Sequence, residues 1–137
     1  MTKEMIICNR LSELERVVGF MDGIGETLGL SGELVMNLNL VLEEMVTNII
    51  RYAYPQQADD SIELKAEWDD KTMTLTLTLA DQGLAFDPMS KGTLDTNVNP
   101  AEREIGGMGI FIVKNIMDSV SYQRLDGKNV VTMKKNL

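Results

Sequence analysis

The segment Glu43-Glu44-Met45-Val46-Thr47-Asn48-Ile49-Ile50-Arg51-Tyr52-Ala53-Tyr54 closes the longest helical pattern in the 137-residue chain. The pattern begins after Ser31, a residue type that caps helix N-termini, and Pro55 ends it because proline disfavours helix in the preceding residue. At about 100° per residue it has one apolar face, which we expect to pack on a sheet. That face contains Val35, Leu38, Leu42, Val46, Ile49 and Ala53.

Polar side chains lie nearly opposite this apolar face, at Glu33, Asn37, Glu44, Asn48 and Arg51. Such a face is ordinarily a solvated surface. A more specific interpretation starts from Glu44 and Asn48, which are four residues apart and therefore adjacent on the helix. A carboxylate beside an amide oxygen can hold Mg²⁺ and position a proton acceptor. The helix alone leaves both interpretations open.

Five strands are predicted in the rest of the chain, and the alternation of apolar and polar residues supports Ile62–Trp68 and Thr72–Leu79. The predicted strands are Glu4–Cys8, Ile62–Trp68, Thr72–Leu79, Ser119–Leu125 and Lys128–Lys134. We expect one hairpin to turn at Asp69-Asp70 and another at Asp126-Gly127, which is a strong hairpin signal. The methionine and leucines of the third strand should face the core and its threonines outward, so helices are expected on one face of the sheet.

Two further helices are predicted, before and after the long one. The first opens at Ser12, where Ser12-Glu13-Leu14-Glu15 fits a capping box, and ends near Gly29. The second opens at Gly106 and continues to about Asp118. Residues 81–105 lack periodicity, and a loop of this length in a compact domain usually has a function. We interpret residues from about 83 to 105 as a lid over a ligand, within one domain that spans residues 1–137.

The composition argues against several classes of function. The net charge of −8, from 21 acidic and 13 basic residues, opposes binding to nucleic acid or anionic lipid. The absence of histidine excludes phosphohistidine and imidazole chemistry, and we expect the single cysteine, Cys8, to be a small buried hydrophobic residue. No apolar run suits a signal peptide or a membrane span, so the cytosol is the expected compartment.

Asp81-Gln82-Gly83 directly follows a predicted strand. Its simplest interpretation is a polar strand exit with a turn glycine. The carboxylate could instead accept a hydrogen bond from the amino group of adenine, while Gly83 would let the flat base approach the backbone. This motif alone carries little weight.

Gly106-Gly107-Met108-Gly109 stands at the start of a predicted amphipathic helix. The free amides and the positive dipole end of a helix N-terminus bind anions, and glycines let a phosphate reach the backbone. A flexible hinge explains the same glycines equally well. The chain contains no GxxxxGK[ST] sequence, so a P-loop is excluded as the phosphate-binding element.

The order of these three motifs resembles the GHKL ATPase superfamily. Glu44-x-x-x-Asn48 lies on a helix, Asp81-x-Gly83 follows a strand, and Gly107-x-Gly109 begins a helix after a long lid. Residues 43–54 and 106–122 are similar to the RsbW-type anti-sigma-factor serine kinases, and the resemblance covers nearly the whole chain. It implies a Bergerat-type ATP-binding fold, a two-layer α/β sandwich with a mixed, mainly antiparallel sheet and three helices on one face.

The resemblance also implies a role for each matching residue. Glu44 would be the general base, Asn48 the Mg²⁺ ligand and Asp81 the adenine acceptor. Gly83 and the segment Gly106-Gly107-Met108-Gly109 would bind the nucleotide.

Some positions depart from the family pattern or do not align with it. Ala85 stands where many relatives have glycine, and Tyr52 replaces a frequent histidine, so ATP affinity or lid closure could be altered. Lys91 and Arg103 lie in the predicted lid, where each could either meet the terminal phosphate or remain solvated.

The function implied by the resemblance is that of an ATP- and Mg²⁺-dependent protein serine/threonine kinase that is also an anti-sigma factor. It would sequester a sigma factor and phosphorylate an anti-anti-sigma protein of the STAS type. One alternative is a regulatory module that binds ATP without transferring phosphate, against which the presence of Glu44 argues. Another is a histidine-kinase catalytic domain acting in trans. A homodimer is compatible with the sequence, which has no signature for partner surfaces.

Overall fold

The computed structural model describes residues 1–91 and 106–137. Its strands are β1 (Thr2–Cys8), β2 (Ser61–Asp69), β3 (Thr74–Asp81), β4 (Ser119–Leu125) and β5 (Lys128–Asn136). Its α-helices are α1 (Leu14–Leu28), α2 (Gly32–Asn48), α3 (Pro88–Lys91) and α4 (Gly106–Ile116). All predicted strands and helices are present, and α3 is an additional helical turn in the segment interpreted as a lid. Residues 92–105 of that segment, which include Arg103, lie outside the described residues.

The five strands form one sheet in the order β1-β2-β3-β5-β4. The predicted α/β sandwich with helices on one face is confirmed. The expectation of a mixed sheet is wrong for the described strands, because every neighbouring pair is antiparallel. β3 and β4 run in the same direction, but the tight β4–β5 hairpin places β5 between them, and no parallel pair forms.

One face of the sheet forms the core with the helices. Alternate strand residues point toward the helices and are buried, whereas their neighbours face outward. The buried apolar strand residues are Ile7, Ile62, Leu64, Ala66, Leu75, Leu77, Leu79, Val131 and Met133. α2 packs against both α1 and α4 and buries Leu38, Leu42 and Val46 from its predicted apolar face. Among the described residues, no helix has the length and apolarity needed to cross a membrane.

The start of α1 differs from the prediction, whereas its end agrees with it. Residues Leu11–Glu13 form a 3-10 turn that delays the α-helix, so the capping box predicted at Ser12 does not form. The Glu13 carboxylate pairs instead with Arg16 at 2.9 Å. The helix ends at Gly29, whose φ of 67° is the left-handed conformation typical of a glycine after a helix.

α2 begins as predicted but changes its geometry at its end. Ser31 caps the helix by accepting a hydrogen bond from the Leu34 N–H at 3.2 Å. After α2 the chain continues as a π-helical turn, Ile49–Ala53, and leaves the helix at Tyr54, just before Pro55. π-helical turns are rare, and those that occur are often found at functional sites. The helical pattern therefore ends where predicted, with a wider last turn.

The β2–β3 hairpin turns later than predicted. Asp69 pairs with Thr74, so the loop comprises residues 70–73 and not the two aspartates. The Asp69 carboxylate accepts a hydrogen bond from the Lys71 N–H at 2.9 Å, which supports the wider turn. Met73 lies in this loop with a φ of 55° and is 48% exposed, so the expectation that it faces the core is wrong. The leucines of β3 are buried as predicted.

Two smaller expectations had opposite outcomes. The β4–β5 turn is confirmed, since Asp126 and Gly127 both have positive φ, 51° and 77°, as the tight hairpin turn requires. Cys8 is exposed and not buried, because Ile7 takes the inward position of β1 and the alternation of the strand turns Cys8 outward.

Candidate functional site

The polar face of α2 meets the first turn of α4 at Glu44 and Gly109. The Glu44 carboxylate lies directly against Gly109, so a Cβ atom there would overlap its Oε2 and lie 2.8 Å from its Cδ. Only glycine permits this approach. Ile110, the next residue, is buried and anchors the turn in the core. The structure thus brings two of the three predicted motifs into contact.

Asn48 lies one turn after Glu44 on the same face and is 2% exposed. The interpretation of this face as solvated surface is therefore wrong at Asn48. No hydrogen bond joins its side chain to another described residue. Glu44 and Asn48 thus offer a carboxylate and an amide oxygen on one helix face.

Asp81 ends β3 and is 3% exposed. Its Oδ1 accepts hydrogen bonds from the Gly83 N–H and from the Asn129 side-chain amide, both at 2.9 Å. Within the described residues its Oδ2 accepts none. Burial raises the pKa of this carboxyl, and the hydrogen bonds from Asn129 and Gly83 oppose that shift. The arrangement leaves one oxygen of a buried carboxyl available to a ligand donor.

Gly83 packs against the π-helical turn that follows α2. A Cβ atom on Gly83 would lie 2.6 Å from the carbonyl oxygen of Ala53. Leu84 donates its N–H to that same oxygen at 2.9 Å, and Arg124 donates to the Gly83 carbonyl at 2.9 Å. A side chain at residue 83 is therefore excluded by the packing of the strand exit on the helix.

The structure adds two residues that sequence reasoning missed. Tyr54 donates from its hydroxyl to Asp60 and accepts from the Gln82 N–H, both at 3.2 Å, which joins the end of the helix to the strand exit. Burial raises the pKa of Tyr54 and keeps its hydroxyl neutral. The other residue is Asn129, whose signal in the sequence was an asparagine inside an apolar strand, where this residue type is depleted.

The remaining predicted site residues lie at the start of α4. Gly106, Gly107 and Met108 form its first turn with Gly109, so their backbone N–H groups have no partner inside the helix. Lys91 is the last residue of α3.

Among the described residues, no group of three or more acidic or cysteine side chains could hold a metal ion. A cleft of about 740 Å³, lined by Arg10, Arg51 and Tyr54 among others, contains none of the predicted site residues.

The fold of this chain is that of a known protein family. Residues 7–135 match the family described as the histidine kinase-like ATPase domain. The chain belongs to this family. The family assignment confirms the resemblance to the GHKL superfamily that the three motifs indicated.

Individual relatives of the chain include serine-protein kinases. The chain is 28% identical over 119 residues to the serine-protein kinase RsbW of Listeria monocytogenes, which covers 83% of this chain and 74% of the relative. It is 22% identical over 118 residues to RsbW of Bacillus cereus, covering 83% and 72%. The predicted similarity to RsbW-type kinases is therefore confirmed.

A solved structure has the same fold. The crystal structure of the SiaB-SiaC complex from Pseudomonas aeruginosa contains a chain that aligns with 96% of this one and with 88% of its own length. The TM-score is 0.59 and the sequence identity is 13%, so the similarity concerns the fold alone.

Proposed function

We propose that this protein is an ATP- and Mg²⁺-dependent protein serine/threonine kinase of the anti-sigma type. The observation that carries the proposal is the contact between the Glu44 carboxylate and Gly109, with Asn48 one turn away. If the N-terminus of α4 holds the phosphates, a carboxylate against that turn is well placed to accept a proton from the attacking hydroxyl. The relatives named serine-protein kinase support the same class of reaction.

The residues present fit an adenine nucleotide. The Oδ2 of Asp81, which accepts no hydrogen bond from the described residues, can accept one from the amino group of adenine. Gly83 leaves the backbone beside it without a side chain. The positive end of the α4 dipole favours phosphate. The N–H groups that can donate to phosphate oxygens there are those of Gly106, Gly107, Met108 and Gly109.

Asn48 would hold Mg²⁺ through its amide oxygen. Magnesium sites commonly use one or two protein oxygens and complete the octahedral shell with phosphate oxygens and water, so the donors on this helix face suit it. When bound, the ion would neutralise charge on the phosphates. Asn48 is buried on the same helix face as Glu44.

Glu44 would act on the protein substrate. Its carboxylate accepts the proton of the serine hydroxyl while that oxygen forms its bond to the terminal phosphorus of ATP. The bond from phosphorus to the bridging oxygen breaks in the same step, and ADP leaves. Glu44 then returns its proton to water, which restores the starting carboxylate.

The partners belong to the same proposal. We infer that the protein sequesters a sigma factor in the cytoplasm and phosphorylates a STAS-type anti-anti-sigma protein on serine. The similarity to RsbW over 83% of the chain supports this assignment. A module that binds ATP without transfer is the main alternative, and a kinase that phosphorylates histidine in trans is another.

Capture of partners in the presence of Mg²⁺ with ATP or ADP, followed by incubation with γ-labelled ATP, tests the proposal. We expect acid-stable phosphoserine in a small recovered protein and no label when Glu44→Gln replaces the wild type. Nucleotide binding without any transfer would favour the binding module. Acid-labile label on a partner histidine would favour the histidine kinase.

A further inference from the structure

Asn129 is a buried polar residue that the proposed mechanism leaves without a function. It lies on β5 directly opposite Asp81 of β3 and is 2% exposed. A buried amide requires both donors and acceptors around it, since leaving either end unpaired is unfavourable. Its partners therefore indicate what the residue is positioned to do.

The side-chain amide of Asn129 makes two hydrogen bonds at each end. Its Nδ2 donates to Asp81 Oδ1 at 2.9 Å and to the Leu84 carbonyl at 2.8 Å. Its Oδ1 accepts from the Phe86 N–H at 3.1 Å and from the Tyr122 hydroxyl at 2.6 Å. If the amide were flipped, its NH₂ group would face the Phe86 N–H, and its oxygen would face two acceptors, Asp81 Oδ1 and the Leu84 carbonyl. These partners therefore select one orientation of the amide.

This orientation determines which oxygen of Asp81 is available to a ligand. Asn129 and the Gly83 N–H both donate to Oδ1, which holds that oxygen inside the protein and turns Oδ2 away from both donors. Without the Asn129 donor, a single N–H would restrain the carboxylate. The same amide also holds Leu84 and Phe86, the residues on either side of Ala85 at the start of the predicted lid.

We propose that Asn129 is a positioning residue that sets adenine selectivity by fixing the Asp81 carboxylate and the first residues of the lid. This inference rests on the proposed function, because it takes the amino group of adenine as the ligand of Asp81. A purely structural role would change the stability of the fold without changing the preference among purine nucleotides.

Asn129→Asp tests the donor directly, because it keeps the shape of the side chain and places a second carboxylate next to Asp81. Two carboxylates at hydrogen-bonding distance do not both ionise readily, and a shared proton joins them as the pH falls. We expect the affinity for Mg²⁺·ATP to fall about tenfold at a pH of about 8 and to recover toward a pH of about 5.5, where the shared proton replaces the lost donor.

Tyr122→Phe is the matched control, because it removes a hydrogen bond from the other end of the same amide and leaves both bonds of Nδ2 in place. Asn129→Ala is a second variant that removes the donor without adding charge. Inosine triphosphate lacks the amino group of ATP, so wild-type protein should prefer ATP. We expect this preference to be lost in both Asn129 variants and kept in Tyr122→Phe.

Calorimetric titration with each nucleotide, together with urea unfolding of each variant, distinguishes the outcomes. Wild-type selectivity in Asn129→Ala, or the same pH profile in Asn129→Asp and Tyr122→Phe, would overturn the positioning role and leave the proposed function intact. Failure of the wild-type protein to bind ATP would overturn the proposed function and this inference with it.

Discussion

Glu44 and Asn48 share one face of α2 but are assigned different tasks, so their substitutions should fail differently. Glu44→Gln keeps the shape of the side chain and removes the proton acceptor. We expect ATP binding to persist while phosphoryl transfer falls about 10²–10⁴-fold, the usual effect of losing a general base. Asn48→Ala removes the proposed metal ligand and should weaken Mg²⁺-dependent ATP binding as well as transfer.

Calorimetry and single-turnover transfer of labelled phosphate measure the two effects separately. Full transfer activity in Glu44→Gln would show that Glu44 is not the base. Equal ATP affinity of Asn48→Ala and wild type in the presence of Mg²⁺ would remove Asn48 from the metal site.

Gly109→Ala tests the contact that carries the proposed function. The added methyl group would overlap the Glu44 carboxylate, so either that side chain or the first turn of α4 must move. Since misplacement by about 1 Å can cost about 10²-fold in rate, we expect transfer to fall by roughly this factor.

Gly19→Ala is the matched control, because Gly19 is exposed inside α1 and an added Cβ meets no atom within 4 Å. It should stabilise the protein by about 0.5–1 kcal/mol without affecting transfer. Urea unfolding and the transfer assay compare the two variants, and unchanged transfer in Gly109→Ala would contradict the assigned geometry.

The sequence predicted some features of the candidate site and missed others. Glu44 and Asn48 could be paired because helical periodicity depends only on spacing along the chain. The burial of Asn48 could not be predicted, because burial depends on how elements distant in the sequence pack together. For the same reason, the glycines before α4 were equally compatible with a hinge.

Among the helices and strands, the sequence correctly predicted the boundaries that depend on one or two residues. Gly29 and Ser31 end and begin helices as predicted, because each provides the backbone conformation or side-chain acceptor that its position needs. The capping box at Ser12 and the hairpin turn after β2 were wrong. A 3-10 turn replaces the capping box at the start of α1. The register of β2 and β3 places the hairpin turn after Asp69.

The π-helical turn after α2 has a further consequence for the strand exit. Ala53 in this turn leaves no space for a side chain on Gly83, whose Cβ would lie 2.6 Å from the Ala53 carbonyl oxygen. We expect Gly83→Ala to destabilise the protein by about 1–3 kcal/mol and to weaken ATP binding, because Asp81 and Leu84 would have to shift with it.

Gly32→Ala provides the comparison for this variant. Gly32 begins α2, and a Cβ atom on it would meet nothing within 4 Å. Its stability in urea should equal or exceed that of the wild type. Identical unfolding midpoints and ATP affinities for the two alanine variants would show that the packing of Gly83 on the helix is not limiting.

At the scale of the whole molecule, alternation and motif order predicted the sandwich but not the strand pairing. The apolar sides of five strands and three helices indicate two layers whatever the order of the strands. Either strand of the β4–β5 hairpin could pair with β3, and in the structure β5 does. No local sequence pattern indicates which of the two strands pairs with β3. The position of Asn129 opposite Asp81 follows from this pairing and was missed with it.

The candidate site combines α2, β3 and α4, which come together only in the folded chain, so nucleotide binding should stabilise the whole fold. Stabilisation follows RT ln(1 + [L]/Kd), which is about 2.7 kcal/mol at 100 times Kd and corresponds to a rise in Tm of roughly 10 °C. Thermal unfolding with and without Mg²⁺·ATP measures this shift. Calorimetry and unfolding that both show no effect at millimolar nucleotide would contradict the proposed ATP site.

Asp81→Asn separates adenine recognition from folding in the same measurement. An amide can place its oxygen where Oδ1 accepts from Gly83 and Asn129, which keeps the internal hydrogen bonds. Its NH₂ group then takes the place of Oδ2 and faces the amino group of adenine. Because both groups are hydrogen-bond donors, the binding free energy becomes less favourable by about 1–3 kcal/mol. We therefore expect Tm without nucleotide to stay close to that of the wild type, while most of the shift with ATP disappears. An unchanged shift in Asp81→Asn would place the adenine acceptor elsewhere in the protein.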